Sequence, residues 1–486
     1  MSTNVGTSRH QVAVIGAGAA GLTAAIRAAE AGARVTLYNA HPNVGLKILM
    51  SGGTRCNVTH REVSERDFNG SSRAFVRRVL AAFPVPATLE WMKALGVELK
   101  LEDTGKYFPV SDDAQTVLDA LLGACTRAGV ELIAGARVVR VERASGAGGR
   151  TADAARAPGA TAEPTHVNER GKRSNTERTG FATAAGAVGT RFTLAIQRVR
   201  DSAAFGRGVA HVGETTWPLP DAAADETREA DAVILACGGL SFPRTGSDGT
   251  GYALALALGH TLVPPVPALT PLAASDPLCA SCQGMTLDAA LSLWLDGKRE
   301  IEISGSLLFA HFGYSGPAAL DLSRHWLRAE GRARRVTASF ALGETRESLE
   351  RAWLDAARDA RLTAKRWLAA RMPERLANAL CAEAGVDAGT SLAQVKREAR
   401  TALLARVLER ELPVTGTLGY EKAEVTAGGV RLAEVNPSTL ESRVAPGVYL
   451  CGEILDVEGR LGGFNFQFSW SSGTVAGRSA ARGNSP

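Results

Sequence analysis

The stretch QVAVIGAGAAGLTAAIRAAEAGARVTLYN, residues 11–39, constrains this chain more than any other. It reads as a buried strand, a glycine turn, an Ala-rich helix and a second strand. Gly16, Gly18 and Gly21 stand at G-x-G-x-x-G spacing at the mouth of the helix. In such a turn the first glycine allows the sharp bend and the second lets backbone approach a pyrophosphate. The third lets helix and strand close up. Ala19 and Ala20 then open the helix, whose N-terminal N–H groups face negative charge. The pattern predicts a dinucleotide site in a doubly wound α/β domain; the plain alternative is an Ala/Gly-rich helix packing device. The second strand usually ends in Asp or Glu about 20 residues on, to hold ribose hydroxyls. Here the aligned residue is Asn39, whose amide could serve a ribose diol without the charge.

A second glycine-rich stretch, GLKILMSGGTRCNVTH, follows at residues 45–60. Lys47 and Arg55 offer positive charge, Ser51, Gly52 and Gly53 offer backbone N–H groups, and Asn57 a two-way amide. Together they could hold phosphate or ribityl oxygens; otherwise the stretch is an irregular loop around a buried cysteine. Cys56 has no partner for an active-site disulfide, because the next cysteine is Cys125 and none precedes it. It remains a candidate lone reactive thiol beside Arg55.

Farther on, Val138 in a β-type run and Cys237–Gly238 at the end of the buried strand ADAVILACGG are further cofactor-contact candidates. Near the C-terminus, Gly452, Glu453, Asp456, the Gly462–Gly463 turn and Asn465 precede a small-residue helix. Carboxylates there could bind ribityl hydroxyls, and the helix N-terminus could stabilise charge at a flavin pyrimidine edge. Phe464, Phe466, Phe468 and Trp470 alternate, which predicts a half-buried strand rather than a base-stacking surface. His311, near Tyr314 and Ser315, is a candidate proton donor or else a structural histidine, and no Asp completes a Ser/His/Asp triad. Cys279 and Cys282 form a CxxC, but no second pair supplies the four ligands of a zinc site, so no metal is expected.

The 486 residues allow two or three domains, and a net charge of +5 permits an anionic cofactor or nucleic acid without requiring either. No run of about 18 apolar residues and no apolar leader is present, and the seven cysteines are odd in number and scattered. A reduced, cytoplasmic protein with no membrane partner is expected. Residues 73–128 read as mainly helical, and about 144–190 as a disordered insertion between two strands. Residues 266–345 read as mainly β and 346–412 as mainly α, with 12 basic against 9 acidic side chains between 350 and 412.

Taken together, VIGAGAAGL, GLKILMSGGTRCNVTH, GKYFPVS, ILACGGLSFPRTGSDGTGY, LLFAHFGYSGP, AEVTAGGV and GVYLCGEILDVEGRLGGFNFQFSWSSG resemble one family. It comprises the bacterial FAD-dependent oxidoreductases called YhiN-like or BaiN-like flavoproteins, also known as the aminoacetone oxidase family. The resemblance implies a discontinuous Rossmann-like FAD-binding domain, residues 1–265 and 416–486, with residues 266–415 inserted as a domain having β-barrel and helical parts. It implies FAD, with NAD(P)H or oxygen as the electron partner; no clear second G-x-G-x-x-G marks a separate nicotinamide domain. A small-molecule substrate is expected, taken by an amine oxidase or a reductase of conjugated double bonds. The resemblance also admits a ribosomal RNA uridine reductase (a dihydrouridine synthase), and a flavin-binding protein without turnover is the third class. The family usually has a further glycine where this chain has Thr54, and an acid where it has Asn39.

Overall fold

The computed structural model describes residues 9–144, 191–202, 205 and 223–483. The insertion expected near 144–190 lies, from residue 145 on, outside the described residues.

The residue 11–39 unit folds as strand Gln11–Ile15, helix Ala19–Glu30 and strand Arg34–Asn39. These strands join a five-stranded parallel sheet in the order Val448–Leu450, Ala232–Leu235, Gln11–Ile15, Arg34–Asn39, Glu131–Ala134. Strand Ala232–Leu235 is fully buried and Gln11–Ile15 nearly so, with helices Ala19–Glu30 and Phe464–Arg482 packed against the sheet. A three-stranded antiparallel sheet runs alongside, with Ala136–Arg143 paired to Phe192–Arg198 and that strand to Glu226–Ala230. The fold is thus mixed α/β, with a parallel sheet and separate antiparallel sheets.

The two ends of the chain meet through their helices. Helix Phe464–Arg482 lies so close to helix Ala19–Glu30 that a Cβ on Gly473 would sit 2.5 Å from Ala20 O. One on Gly477 would sit 2.3 Å from Ala24 O. Glycines at i, i+4 facing alanines at i, i+4 form one contact stripe, and any larger residue would force the backbones apart.

Between these ends, a seven-stranded antiparallel sheet has Arg410–Leu412 and Val414–Thr417 as its two edges. Consecutive segments of chain cannot be far apart, so the sheet curls until its edges meet, as in a barrel. Helices Arg346–Ala356, Ala364–Ala369, Glu374–Glu383 and Arg397–Glu409 pack against it around a second core that includes Leu291, Trp353 and Leu403.

Two local expectations change. The alternating aromatics are not a strand but the first two turns of helix Phe464–Arg482. Four aromatics at period two are also two i, i+4 pairs, Phe464/Phe468 and Phe466/Trp470, and the second pair stacks with centroids 5.5 Å apart. The mainly β stretch 266–345 also contains helix Pro317–Arg328, begun by Pro317 at its first position and burying Ala318, Ala319, Leu322 and Trp326.

Candidate functional site

A cavity of about 490 Å³ opens where the carboxyl ends of the parallel strands meet the inserted unit. Its size and position suit a cofactor site at the end of an open α/β sheet.

The fingerprint turn forms one wall. Gly16 has φ +104°, and a Cβ there would lie 2.4 Å from Ala236 O, so only glycine fits. Gly18, Ala19 and Ala20 line the cavity, and a Cβ on Gly18 would meet no protein atom within 4 Å. The space beside Gly18 is therefore room for a ligand. Gly21 does not line the cavity; a Cβ there would lie 1.8 Å from Gly16 O, which makes it the packing glycine. Helices Ala19–Glu30 and Phe464–Arg482 both begin without a side-chain cap, leaving N-terminal donors for a ligand.

Asn39 lines the cavity but spends its amide on the protein. Its oxygen accepts from Ala17 N (3.2 Å) and its nitrogen donates to His41 O (2.6 Å) and Asn43 O (3.0 Å). It braces the glycine turn, and no N–H remains for a ribose.

The stretch SGGTRCN makes a left-handed turn. Gly52, Gly53, Thr54 and Cys56 have φ of +57°, +67°, +68° and +61°. Two of the four are not glycine, and Thr54 is β-branched, the type that adopts this region least readily. Lys47, Ser51, Gly52, Gly53, Arg55 and Asn57 all line the cavity. Asn57 ties this turn to the C-terminal helix: its nitrogen donates to Thr59 O (3.0 Å) and its oxygen accepts from Gly463 N (3.1 Å).

The charges expected to meet the cofactor are largely neutralised inside the protein. Lys47 donates to Glu453 (2.9 Å) and Ser241 (2.7 Å). Glu453 in turn accepts from Ser241 Oγ (2.7 Å) and Thr426 N (2.9 Å). Arg55 pairs with Glu102 (2.7 Å) and Asp112 (3.3 Å) and stacks over Phe108 at 4.0 Å.

Val138, Cys237, Gly238, Gly462, Gly463 and Asn465 line the cavity as well. Asn465 holds the turn before its own helix, exchanging hydrogen bonds with Gly459 N (2.8 Å) and O (2.9 Å). Gly452 and Asp456 do not line it. Gly452 fits beneath Ala20, whose Cβ would be 2.7 Å from its own, and buried Asp456 accepts from Ser71 N (3.0 Å).

Both candidate catalytic residues fall outside the cavity. Cys56 is fully buried in the main core, where burial pushes its thiol up to about 12, so no thiolate forms near neutral pH. His311 is exposed at a hairpin turn before Gly313–Ser315, its ring against Phe312. Cys279 and Cys282 are free and buried, and Cys279 Sγ donates to Gly313 O (3.3 Å).

Sequence reasoning missed four charged lining residues. Arg137 and Asp248 form a half-buried pair at 2.8 Å, while Lys106 and Glu424 also reach the cavity. Lys106, Asp248 and Glu424 lie in stretches that carry the family resemblance, but no local signal singles them out as lining residues; tertiary structure brings the four together. Among the described residues no helix is long and apolar enough to cross a membrane.

Comparison with known proteins agrees with this geometry. The family model described as "HI0933-like protein Rossmann domain" matches residues 10–158 and 210–479. The chain is 31% identical to the 3-dehydro-bile acid delta(4,6)-reductase of Clostridium scindens, over 97% of this chain and 99% of that protein. It is 28% identical to the ribosomal RNA dihydrouridine synthase of Escherichia coli, over 96% of each. Among solved structures, a 3-ketosteroid-delta4-(5alpha)-dehydrogenase from Rhodococcus jostii RHA1 aligns over 99% of each chain at 15% identity, with a TM-score of 0.42, too low to argue from. The chain belongs to the HI0933-like family, the YhiN/BaiN-like flavoproteins, and is an FAD-dependent oxidoreductase.

Proposed function

We propose that this flavoenzyme reduces a carbon–carbon double bond conjugated to a carbonyl in a small cyclic molecule, with NAD(P)H as electron donor. The observation that carries the reading is the pair of relatives matched over nearly the whole chain. A delta(4,6)-reductase of a 3-oxo steroid acid and a dihydrouridine synthase act on very different substrates. Both names describe adding hydrogen across a ring double bond in conjugation with a carbonyl. The chemistry is shared even where the substrate is not.

In this reading Gly16 and Gly18 receive the FAD pyrophosphate, and the turn 51–57 with the N-terminus of helix Phe464–Arg482 receives the ring. FAD supplies hydride transfer in two-electron steps. The protein supplies orientation, donors at the helix N-terminus and exclusion of water. Residues 266–415 form the inserted domain that covers the ring. The free cysteines suit a reducing compartment, and we place the enzyme in the cytoplasm.

A small substrate is favoured over RNA by the state of the basic side chains in 346–412. Arg400 pairs with Glu350, Arg410 with Glu383 and Asp276, and Lys365 with Glu374, so much of that charge is spent within the protein. The test is anaerobic: reduce the flavin with NADH or NADPH, then follow its reoxidation by a 3-oxo-4-ene steroid, by uridine-containing ribosomal RNA, or by neither. Reoxidation by the steroid supports the reading. Reoxidation by RNA alone would move the enzyme to the nucleic-acid class. Peroxide formation with an amine as sole reductant would make it an oxidase instead.

A further inference from the structure

Seven Lys, Arg, Asp and Glu side chains line the cavity. Lys47 and Glu453 neutralise one another, as do Arg137 and Asp248, and Arg55 is held by Glu102 and Asp112. Lys106 and Glu424 are different. Neither side chain has a hydrogen bond or ion pair among the described residues, although the charge of Lys106 is near enough to act on the Glu424 carboxyl. Glu424 is exposed and Lys106 half-buried where they line the cavity, so both charged heads are free to meet a molecule that enters it.

Their placement says where that happens. Lys106 begins strand Lys106–Pro109, and its Cε lies 3.6 Å from where a Cβ on Gly462 would stand, beside the uncapped start of helix Phe464–Arg482. Glu424 precedes strand Val425–Val430 and is tied to Leu269 O through its own N–H (3.2 Å). Leu269 and Leu461, both lining the cavity, complete this end. From the inserted unit, helix Pro317–Arg328 brings Asp321, whose carboxylate accepts from Leu461 N (3.0 Å). The free carboxyl therefore sits where the flavin unit and the inserted unit face each other, away from the fingerprint turn.

We propose that Glu424 is the catalytic acid of this site, donating the proton that completes double-bond reduction, with Lys106 and Asp321 as the charged neighbours that position and tune it. The proposal rests on the conjugated-double-bond reading above. A hydride from the reduced cofactor forms the C–H bond at the β-carbon. The Glu424 O–H bond breaks and its proton forms the C–H bond at the α-carbon, so the double bond gains two hydrogens. Bound reduced FAD would supply that hydride with its electron pair, a nicotinamide dinucleotide would restore the pair, and the Glu424 carboxylate regains its proton from solvent.

The electrostatics suit the role. Burial pushes the Glu424 carboxyl up to about 6, Asp321 adds to the rise and Lys106 opposes it. Asp321 is itself raised to about 6 by burial, against its bond from Leu461 N and the charges of Arg460 and Lys106. The working form is the protonated one. Substrate-driven flavin reoxidation should therefore be flat below about pH 6 and fall as pH rises through it.

The experiment uses photoreduced holoenzyme mixed anaerobically with a 3-oxo-4-ene steroid, cyclohex-2-enone or uridine-containing ribosomal RNA. Glu424→Gln should keep its FAD and its flavin spectrum but reoxidise about 10²–10⁴-fold more slowly, and Glu424→Asp should recover part of the rate. Asp321→Asn should move the falling limb to lower pH and Lys106→Met to higher pH. A carboxyl resonance of ¹³C-Glu-labelled protein, absent in Glu424→Gln, should titrate near that limb and follow it, down in Asp321→Asn and up in Lys106→Met. If Glu424→Gln loses FAD, Glu424→Asp and the two neighbour variants still decide. A wild-type rate in Glu424→Gln, or a limb that neither neighbour moves, overturns the proposal while leaving the double-bond reading intact. Failure of wild-type enzyme with every acceptor removes that reading, and the proposal falls with it.

Discussion

The two ends of the cavity are built on opposite electrostatic plans. At the fingerprint end charge is settled inside the protein: Lys47 answers Glu453, Arg137 answers Asp248, and Asn39 gives its amide to backbone. What that end offers a dinucleotide is shape and backbone donors. At the other end, Lys106 and Glu424 face the same space without partners among the described residues. The first plan suits a cofactor that stays, because binding it strands no protein charge. The second suits a molecule that must be polarised and protonated before it leaves.

The largest expected effect tests the first plan. A Cβ at Gly18 meets no protein atom within 4 Å, so Gly18→Val should keep its fold with a thermal midpoint close to that of the unaltered protein. FAD affinity should fall about 10- to 100-fold, from roughly 1–3 kcal/mol of crowding in the ligand's space. Normal flavin content in that variant would take the cofactor away from the fingerprint turn.

The next effect sets the two lysines against each other. Lys47→Met strands the Glu453 carboxylate, whose side chain is only 19% exposed, and should cost roughly 1–3 kcal/mol in denaturant unfolding. Adding Glu453→Gln should restore most of it. Lys106→Met strands nothing and should change stability by less than about 0.5 kcal/mol while shifting the pH profile. Equal losses from the two lysines would erase the contrast.

The smallest effect lies in the turn that joins both ends. Thr54 holds φ +68°, where the family's usual glycine would rest without strain. Thr54→Gly should stabilise the protein by roughly 0.5–1 kcal/mol net, after glycine's added freedom in the unfolded chain is counted.

What could be read from the sequence follows the same division. Gly16, Gly18 and Gly21 were legible because a backbone that must bend, admit a ligand and close on a strand leaves only glycine. The buried strand AVIL and the Ala-rich helix were legible from their patterns. Lys106 and Glu424 lie in stretches that carry the resemblance but were not singled out, since each is an ordinary charge in its own segment and only tertiary structure brings them, 318 positions apart, to one cavity. Lys47 and Arg55 misled for the converse reason: a basic residue in a glycine-rich loop looks free until Glu453, Glu102 and Asp112 arrive from elsewhere in the chain. His311 and Cys56 were chosen for intrinsic reactivity, which burial in one case and distance from the cavity in the other set aside. The aromatic run at 464–470 was misread because four residues are too few to tell a two-residue repeat from two pairs four apart.

The stripe where Gly473 and Gly477 meet Ala20 and Ala24 also sets an order of events during synthesis. The first fifty residues carry the fingerprint, yet the Ala-rich face of their helix has no cover until the last helix leaves the ribosome. The fingerprint side of the cofactor pocket is thus translated well before the helix that completes it. A chain stalled before residue 464 would present a dinucleotide turn with nothing to close over the ring, and an apolar helix face for chaperones to hold.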